Sequence, residues 1–194
     1  MTQFVALVEG VEVNGETVLS IVDGMGILKD KALKILSDYG IDNPQPGLWY
    51  SQQAWLDSFK QIAAKFRPLT LTSIGRKIPE NAVFPPDIDE IGKALAAIDV
   101  AYHINHRIDS VPLFDPSTGV MSEGIGHYFV KSTGPNSAIF ICNNPYPCDF
   151  DRGIIDAMAF RYRPAGSNNV TITHDDESHC RKNGGQECRY IVRW

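Results

Sequence analysis

Cys180 and Cys188 stand near the end of the chain with seven residues between them, Arg181 through Glu187. The doubled glycine in that interval, Gly184-Gly185, lets the backbone fold back, so both sulfurs can face one space. Glu177 lies three residues before Cys180, close enough to offer an oxygen to the same space, with His174 and His179 as alternatives. Zinc accepts thiolate, imidazole and carboxylate ligands in a tetrahedral set, which leaves one ligand to find. Cys148 suits that place. It opens a helix, where the dipole and free amides favour the thiolate a metal needs. Cys142 suits it less, inside the apolar run Ile-Phe-Ile-Cys. The same residues also allow two reduced, partly buried thiols, or a Cys180–Cys188 disulfide. Local chemistry leaves the three readings open.

A second set could line a ligand pocket. His127 alternates with Phe129 on a strand, either as a hydrogen-bonded strand histidine or as a polar contact in an apolar pocket. His103 and His106 end an amphipathic helix, a position the helix dipole favours for histidine; of these, His103 is the candidate ligand contact. Trp49, Tyr50 and Trp55 form an aromatic cluster that packs a core or walls a pocket, and Trp49 is taken as the pocket residue.

The composition sets the frame for both. The chain has 194 residues, 43% apolar and 21% charged, with a formal charge of -5. These are ordinary globular values, and the length suits one domain with a real core. An acidic chain without a Lys/Arg run argues against nucleic acid or an anionic membrane as partner. No stretch approaches the roughly 18 apolar residues of a membrane span, and the first residues lack the apolar core of a signal peptide. A cytoplasmic location is expected. There, four cysteines favour metal or thiols over disulfides.

The elements that must position these residues follow from periodicity. Residues 4–13 and 16–22 read as strands joined by Asn14-Gly15, a hairpin signal. Helical spacing runs over 27–39, then through Trp55, Phe59, Ile62 and Phe66, then over 69–78, and again through Ile88, Ile91, Leu95, Ile98 and Tyr102. Residues 78–87 carry Pro79, Pro85 and Pro86 and read as irregular. Strands follow at 126–133 and 137–142, a helix from Cys148, and strands at 170–174 and 189–194. The expected fold is a single α+β domain, an antiparallel sheet packed against a helical layer. Residues 1–107 supply its hairpin and helical part, and 108–194 its core with the cysteine cluster.

The runs NPYPCDFDRGIIDAMAFRY and VTITHDDESHCRKNGGQECRYIVRW resemble the 4-vinyl reductase (4VR) domain family. That family includes the sensing domains of aromatic-responsive bacterial activators, with Golgi transport (TRAPP) subunits and haem-nitric-oxide domains as distant kin. The resemblance is clearest over residues 126–194. It implies a structural zinc held by Cys148, Glu177, Cys180 and Cys188, with a longer connection between Cys148 and Glu177 than in those sensors. Four protein ligands leave no open coordination position, so no zinc chemistry on a substrate is implied.

The resulting expectation is a zinc-stabilised binding domain for a hydrophobic, aromatic or tetrapyrrole-like ligand. It is expected to signal through a homodimer or a partner protein rather than as an enzyme. The alternatives are a tetrapyrrole vinyl-reductase-like enzyme or accessory, and a haem or gas sensor. Against haem, the Tyr-x-Ser-x-Arg pattern of haem-nitric-oxide domains is missing; the similar fragment is Arg161-Tyr162-Arg163. No phosphate loop, nucleotide fingerprint or nucleophile–histidine–acid signature is present.

Overall fold

The computed structural model describes residues 3–167, 169–175 and 177–194, the side chain of Glu177 excepted. It begins with a departure from the hairpin expectation. Strand β1 (Val11–Asn14) runs directly into two short helices, α1 (Gly15–Val18) and α2 (Ser20–Met25). Asn14 is used as a helix cap: its side chain accepts the Thr17 amide at 2.9 Å, satisfying a donor that the first turn would otherwise orphan. A Cβ on Gly15 would strike the Gln45 carbonyl, so this glycine serves a close approach. Asn-Gly is compatible with both a turn and a cap, and the distant loop decides.

The partners of β1 therefore come from far along the chain. They are β2 (Trp49–Ser51) and β3 (His106–Ile108), with β4 (Val111–Pro112) outside β3. The sheet order is β2-β1-β3-β4, antiparallel throughout. Residues 4–10 are not strand; Phe4 takes a positive φ of 66° and its amide donates to the Pro145 carbonyl at 2.8 Å.

The helical layer follows the apolar spacing closely. Helix α3 (Lys29–Asp38) buries Ala32, Ile35 and Leu36, and Gly40 beyond it turns left-handed at φ +82°. Helix α4 (Gln52–Lys65) buries Trp55, Leu56, Phe59 and Ile62. Helix α5 (Pro68–Asn81) continues through Pro79, past the expected stop at residue 78. A proline in a last turn forfeits one helical hydrogen bond rather than breaking the rod, and Arg161 Nη1 donates to the Pro79 carbonyl at 2.9 Å. Helix α6 (Ile91–Ile104) follows.

After a two-stranded ribbon, β5 (Phe114–Asp115) with β6 (Val120–Met121), comes the second sheet. Strands β7 (His127–Gly134) and β8 (Ser137–Asn143) form a hairpin; helix α7 (Cys148–Arg161) crosses over; β9 (Thr171–His174) and β10 (Cys188–Arg193) complete it. The order is β7-β8-β10-β9. Alternate residues of β8 and β10 face inward, pairing Cys188 with Cys142, Tyr190 with Phe140 and Val192 with Ala138. The expected α+β class holds, with antiparallel strands divided between two main sheets. Helices α5 and α7 touch backbone to backbone: a Cβ on Gly75 would strike the Phe150 carbonyl, and one on Gly153 the Thr72 carbonyl. No described helix is long and apolar enough to cross a membrane.

Candidate functional site

The cysteine cluster assembles where the N-terminus of α7 meets the start of β10. Cys148 is the first residue of α7, after the extended Pro147. Cys188 opens β10, and the turn before it needs its glycines: Gly184 sits at φ +86°, and a Cβ on Gly185 would strike the His179 carbonyl. Cys148 Sγ lies 3.0 Å from Cys180 Sγ and 3.1 Å from Cys188 Sγ, and the last two are 3.6 Å apart. All three are free thiols, as is Cys142, and all are buried. Three sulfurs in mutual contact leave no preferred Cys180–Cys188 disulfide pair.

A histidine completes this group. A ligand nitrogen of His174, on β9, lies within 4.8 Å of the three sulfurs. The His174 Nε2 atom is buried without a hydrogen-bond partner among the described residues. Glu177, the ligand drawn from the family resemblance, has its backbone in a 3-10 turn over Glu177–His179; its side chain lies outside the described residues. His179 is exposed and interacts with the Ser178 hydroxyl at 3.1 Å. A tetrahedral ion with bonds of about 2.3 Å would hold its sulfurs roughly 3.8 Å apart, a small expansion of the observed triangle.

Beneath the cluster lies a buried ion pair that spacing did not reveal. Arg181 donates to Asp151 through Nη2, to Asn144 Oδ1 at 2.6 Å through Nη1, and to Cys188 Sγ at 3.3 Å through Nε. Burial works against the Arg181 charge and the Asp151 carboxylate more than offsets it, so the guanidinium stays charged. Burial pushes Asp151 up to about 6, which still leaves it ionised at neutral pH. The Cys148 hydrogen bond, with Arg181 behind it, pulls Cys188 below the ordinary thiol range, which favours the thiolate that a metal binds. Asp151 also accepts the Tyr128 hydroxyl at 2.7 Å, and Tyr128 leads to the second feature.

That feature is a cavity of about 510 Å³, walled by α5, α6, α7 and the connection after α5. Its lining is mostly apolar, including Phe84, Ile98, Phe150, Ile154 and Met158, with Trp55, Tyr102, Tyr128 and Tyr146 around it. Small-molecule and cofactor sites fall in this size range, with a few placed polar groups. Among the described residues of the lining, His106 is the single imidazole. Its Nδ1 meets the Tyr102 carbonyl at 2.7 Å, and its Nε2 meets the Tyr146 hydroxyl at 2.6 Å. A carbonyl only accepts, so Nδ1 carries the proton and Nε2 the lone pair. Gln52 Nε2 donates to the same Tyr146 oxygen at 2.9 Å. Burial pulls His106 down to about 4, so the ring is neutral.

The pocket residues expected from sequence fall elsewhere: none of His103, His127, Phe129 and Trp49 lines this cavity. His103 and His127 face each other between α6 and β7, with ring centroids 4.8 Å apart. Phe129 is 48% exposed and stacks on His127. Trp49 lies under the Arg107 guanidinium, 4.5 Å from ring to charge. Adjacent helix positions point about 100° apart, so within AYHINHR small differences in phase separate a cavity wall from the opposite face. His106 was legible as a dipole-favoured histidine at a helix end and Tyr102 as part of that helix's apolar face; no local pattern marked Tyr128, Tyr146, Asp151 or Arg181.

Fold and cavity together define an α+β domain that encloses a cofactor-sized apolar space. Among solved structures it is similar to H-NOX domains. A mutant H-NOX protein from S. oneidensis in its Fe(II) ligation state superposes with a TM-score of 0.62 at 13% identity, over 93% of this chain and 95% of that one. An H-NOX mutant of T. tengcongensis gives 0.61 at 10%, over 93% and 96%. An oxygen-binding H-NOX domain related to soluble guanylate cyclases gives 0.59 at 10%, over 93% and 94%. No family model matches the chain, and no curated protein matches it. At such identities the likeness is one of fold.

This corrects the 4-vinyl reductase resemblance. That reading rested on the C-terminal third and four metal-binding residues in order, whereas the H-NOX likeness spans 93% of the chain. A helix N-terminus beside a hairpin can gather thiols in any fold that juxtaposes them. The zinc expectation loses its family support with it, and the cluster's own geometry remains.

Proposed function

We propose that this chain is a ligand-sensing domain whose cavity accepts haem, with His106 as the protein ligand to the iron. The observation that carries this is the state of His106. It is a neutral imidazole in an apolar cavity wall, oriented through Nδ1 and presenting the Nε2 lone pair that an iron requires. The volume and apolar walls fit the same group. Lys77, the one Lys or Arg among the described lining residues, is paired with Glu80 at 2.6 Å and would exchange that partner for a ligand carboxylate. Tyr146 holds Nε2 and would release it on coordination. Bound haem would supply an iron centre able to take a small gas, and occupancy would be read by a partner protein or a second copy of the chain in the cytoplasm. The likeness to H-NOX domains supports this over an aromatic-ligand reading.

The cysteine cluster, in this proposal, is a structural clasp. Cys148, Cys180 and Cys188 hold a zinc ion with His174 as fourth ligand, and metal content after purification without added zinc checks that.

Titration of the purified chain with haemin, followed by absorbance, tests the main reading. A sharpened Soret band saturating near one equivalent is expected, and His106→Ala should abolish it while retaining the fold by circular dichroism. An unperturbed spectrum with the wild-type chain, or identical spectra for both proteins, overturns haem coordination by His106.

A further inference from the structure

Helix α6 turns Asp99 and His103 away from the cavity and toward β7, where His127 meets them. Asp99 is 8% exposed and His103 fully buried. The Asp99 carboxylate accepts the Tyr128 amide on Oδ1 at 2.8 Å and faces His127 Nδ1 with Oδ2 at 3.0 Å. The other His127 nitrogen, Nε2, lies 3.1 Å from Glu123 Oε2. His103 Nδ1 is 2.8 Å from the Asp99 carbonyl, so it carries the proton and Nε2 carries the lone pair. That Nε2 is buried and has no partner among the described residues. An unmet buried acceptor costs about 1–3 kcal/mol.

One ligand atom each from Asp99, His103 and His127 lies within 4.8 Å of the others. Asp99 and Glu123 bracket His127 at its two ring nitrogens, with no Lys or Arg ion pair to either carboxylate among the described residues. Glu123 has a side chain 85% exposed, which leaves a route from solvent. Two imidazoles and carboxylate oxygens are a donor set for zinc or another divalent first-row ion. Sulfur takes no part, so this set is chemically distinct from the thiol cluster.

We propose that Asp99, His103 and His127 form a second metal site that binds a divalent first-row ion of the zinc class. The site is independent of haem binding and of the cysteine clasp. The ion would be held in the ring planes by one nitrogen each of His103 and His127 and by an Asp99 oxygen, replacing the Asp99–His127 hydrogen bond, with water completing its shell.

Cobalt(II) titration of the full chain, with zinc equivalents counted by dialysis and elemental analysis, tests it. The thiol cluster gives intense sulfur-to-cobalt absorption and the nitrogen–oxygen site does not, so the two separate in one experiment. The wild-type chain is expected to take one equivalent more than His127→Gln. His127→Gln alters a partly exposed side chain and should leave the fold intact; it should weaken that equivalent about tenfold or more while leaving the sulfur band unchanged. Equal equivalents and equal affinities in wild type and His127→Gln overturn the proposal, as does a wild-type chain whose bound metal is wholly sulfur-ligated.

Discussion

Helix α7 serves two regions of opposite character. Its first residue, Cys148, belongs to the thiol cluster; one turn on, Asp151 anchors the buried Arg181; Ile154 and Met158 then wall the cavity. The cluster is tightly specified. Sulfurs, guanidinium, carboxylate and amide oxygen have partners within a few ångströms, and among the described residues His174 Nε2 and Asn144 Nδ2 do not. The cavity is the reverse, a space with aromatic walls and few polar groups: Tyr102 donates to the Ile125 carbonyl at 2.7 Å and Tyr146 to His106, while Trp55 Nε1 has no partner among the described residues. Charge-rich sites tolerate little because a lost partner leaves a buried charge behind. Under-filled apolar space tolerates much because its neighbours have room to move. The two regions are joined through Asp151, which binds Arg181 on one side and the cavity residue Tyr128 on the other.

The strongest way to break this contrast is at Arg181. Arg181→Leu strands the Asp151 carboxylate in the interior and is expected to cost about 3–5 kcal/mol, read as the loss in urea-unfolding free energy. Asp151→Asn should fall in the same range, and the double variant should cost less than the sum of the two. Additive losses would show that the pair is not coupled.

The cavity's counterpart is a pH effect. His106 has a folded value of about 4 against an ordinary 6.5, because burial disfavours its charge. Its contribution to stability is complete above pH 6.5. Between pH 6.5 and 4 the unfolded chain takes up a proton that the folded chain refuses, so stability falls as pH falls, by about 3 kcal/mol in all. His106→Asn should flatten that part of the profile. An unchanged slope would place the acid sensitivity elsewhere.

The smallest effect is expected inside the cavity. Ala101 lines it from α6, and leucine is a good helix former. Ala101→Leu should change stability by about 1 kcal/mol or less, yet remove haemin uptake by filling the space. A large destabilisation would mean that the walls close more tightly than the cavity implies.

Sequence and structure agree most closely where one local rule governs. The β7–β8 hairpin, helix α7 and the last two strands lie within a residue or two of their expected bounds, because apolar alternation and a helix-opening turn act over short spans. They part where a residue type serves two purposes. Asn14-Gly15 satisfies a hairpin turn and a helix cap equally well, and the loop carrying Gln45 selects the cap. Pro79 stops a helix interior but not a last turn. In the cluster, the three cysteines were legible from spacing and from the glycines between them, while the fourth position was open among Glu177, His174 and His179. The structure brings His174 to the sulfurs because β9 pairs with β10 in the register that sets His174 opposite Tyr190.

The sequence by itself determined the α+β class, the run of amphipathic helices and the ability of Cys180 and Cys188 to turn toward each other. Each depends on residues within a few turns of one another. Only the tertiary structure decided that Arg181 would be buried on Asp151, that His106 rather than His103 would face the cavity, and that His103 would meet His127. Those outcomes depend on helix phase and strand register between segments tens of residues apart, where one residue of slip turns a side chain from wall to surface.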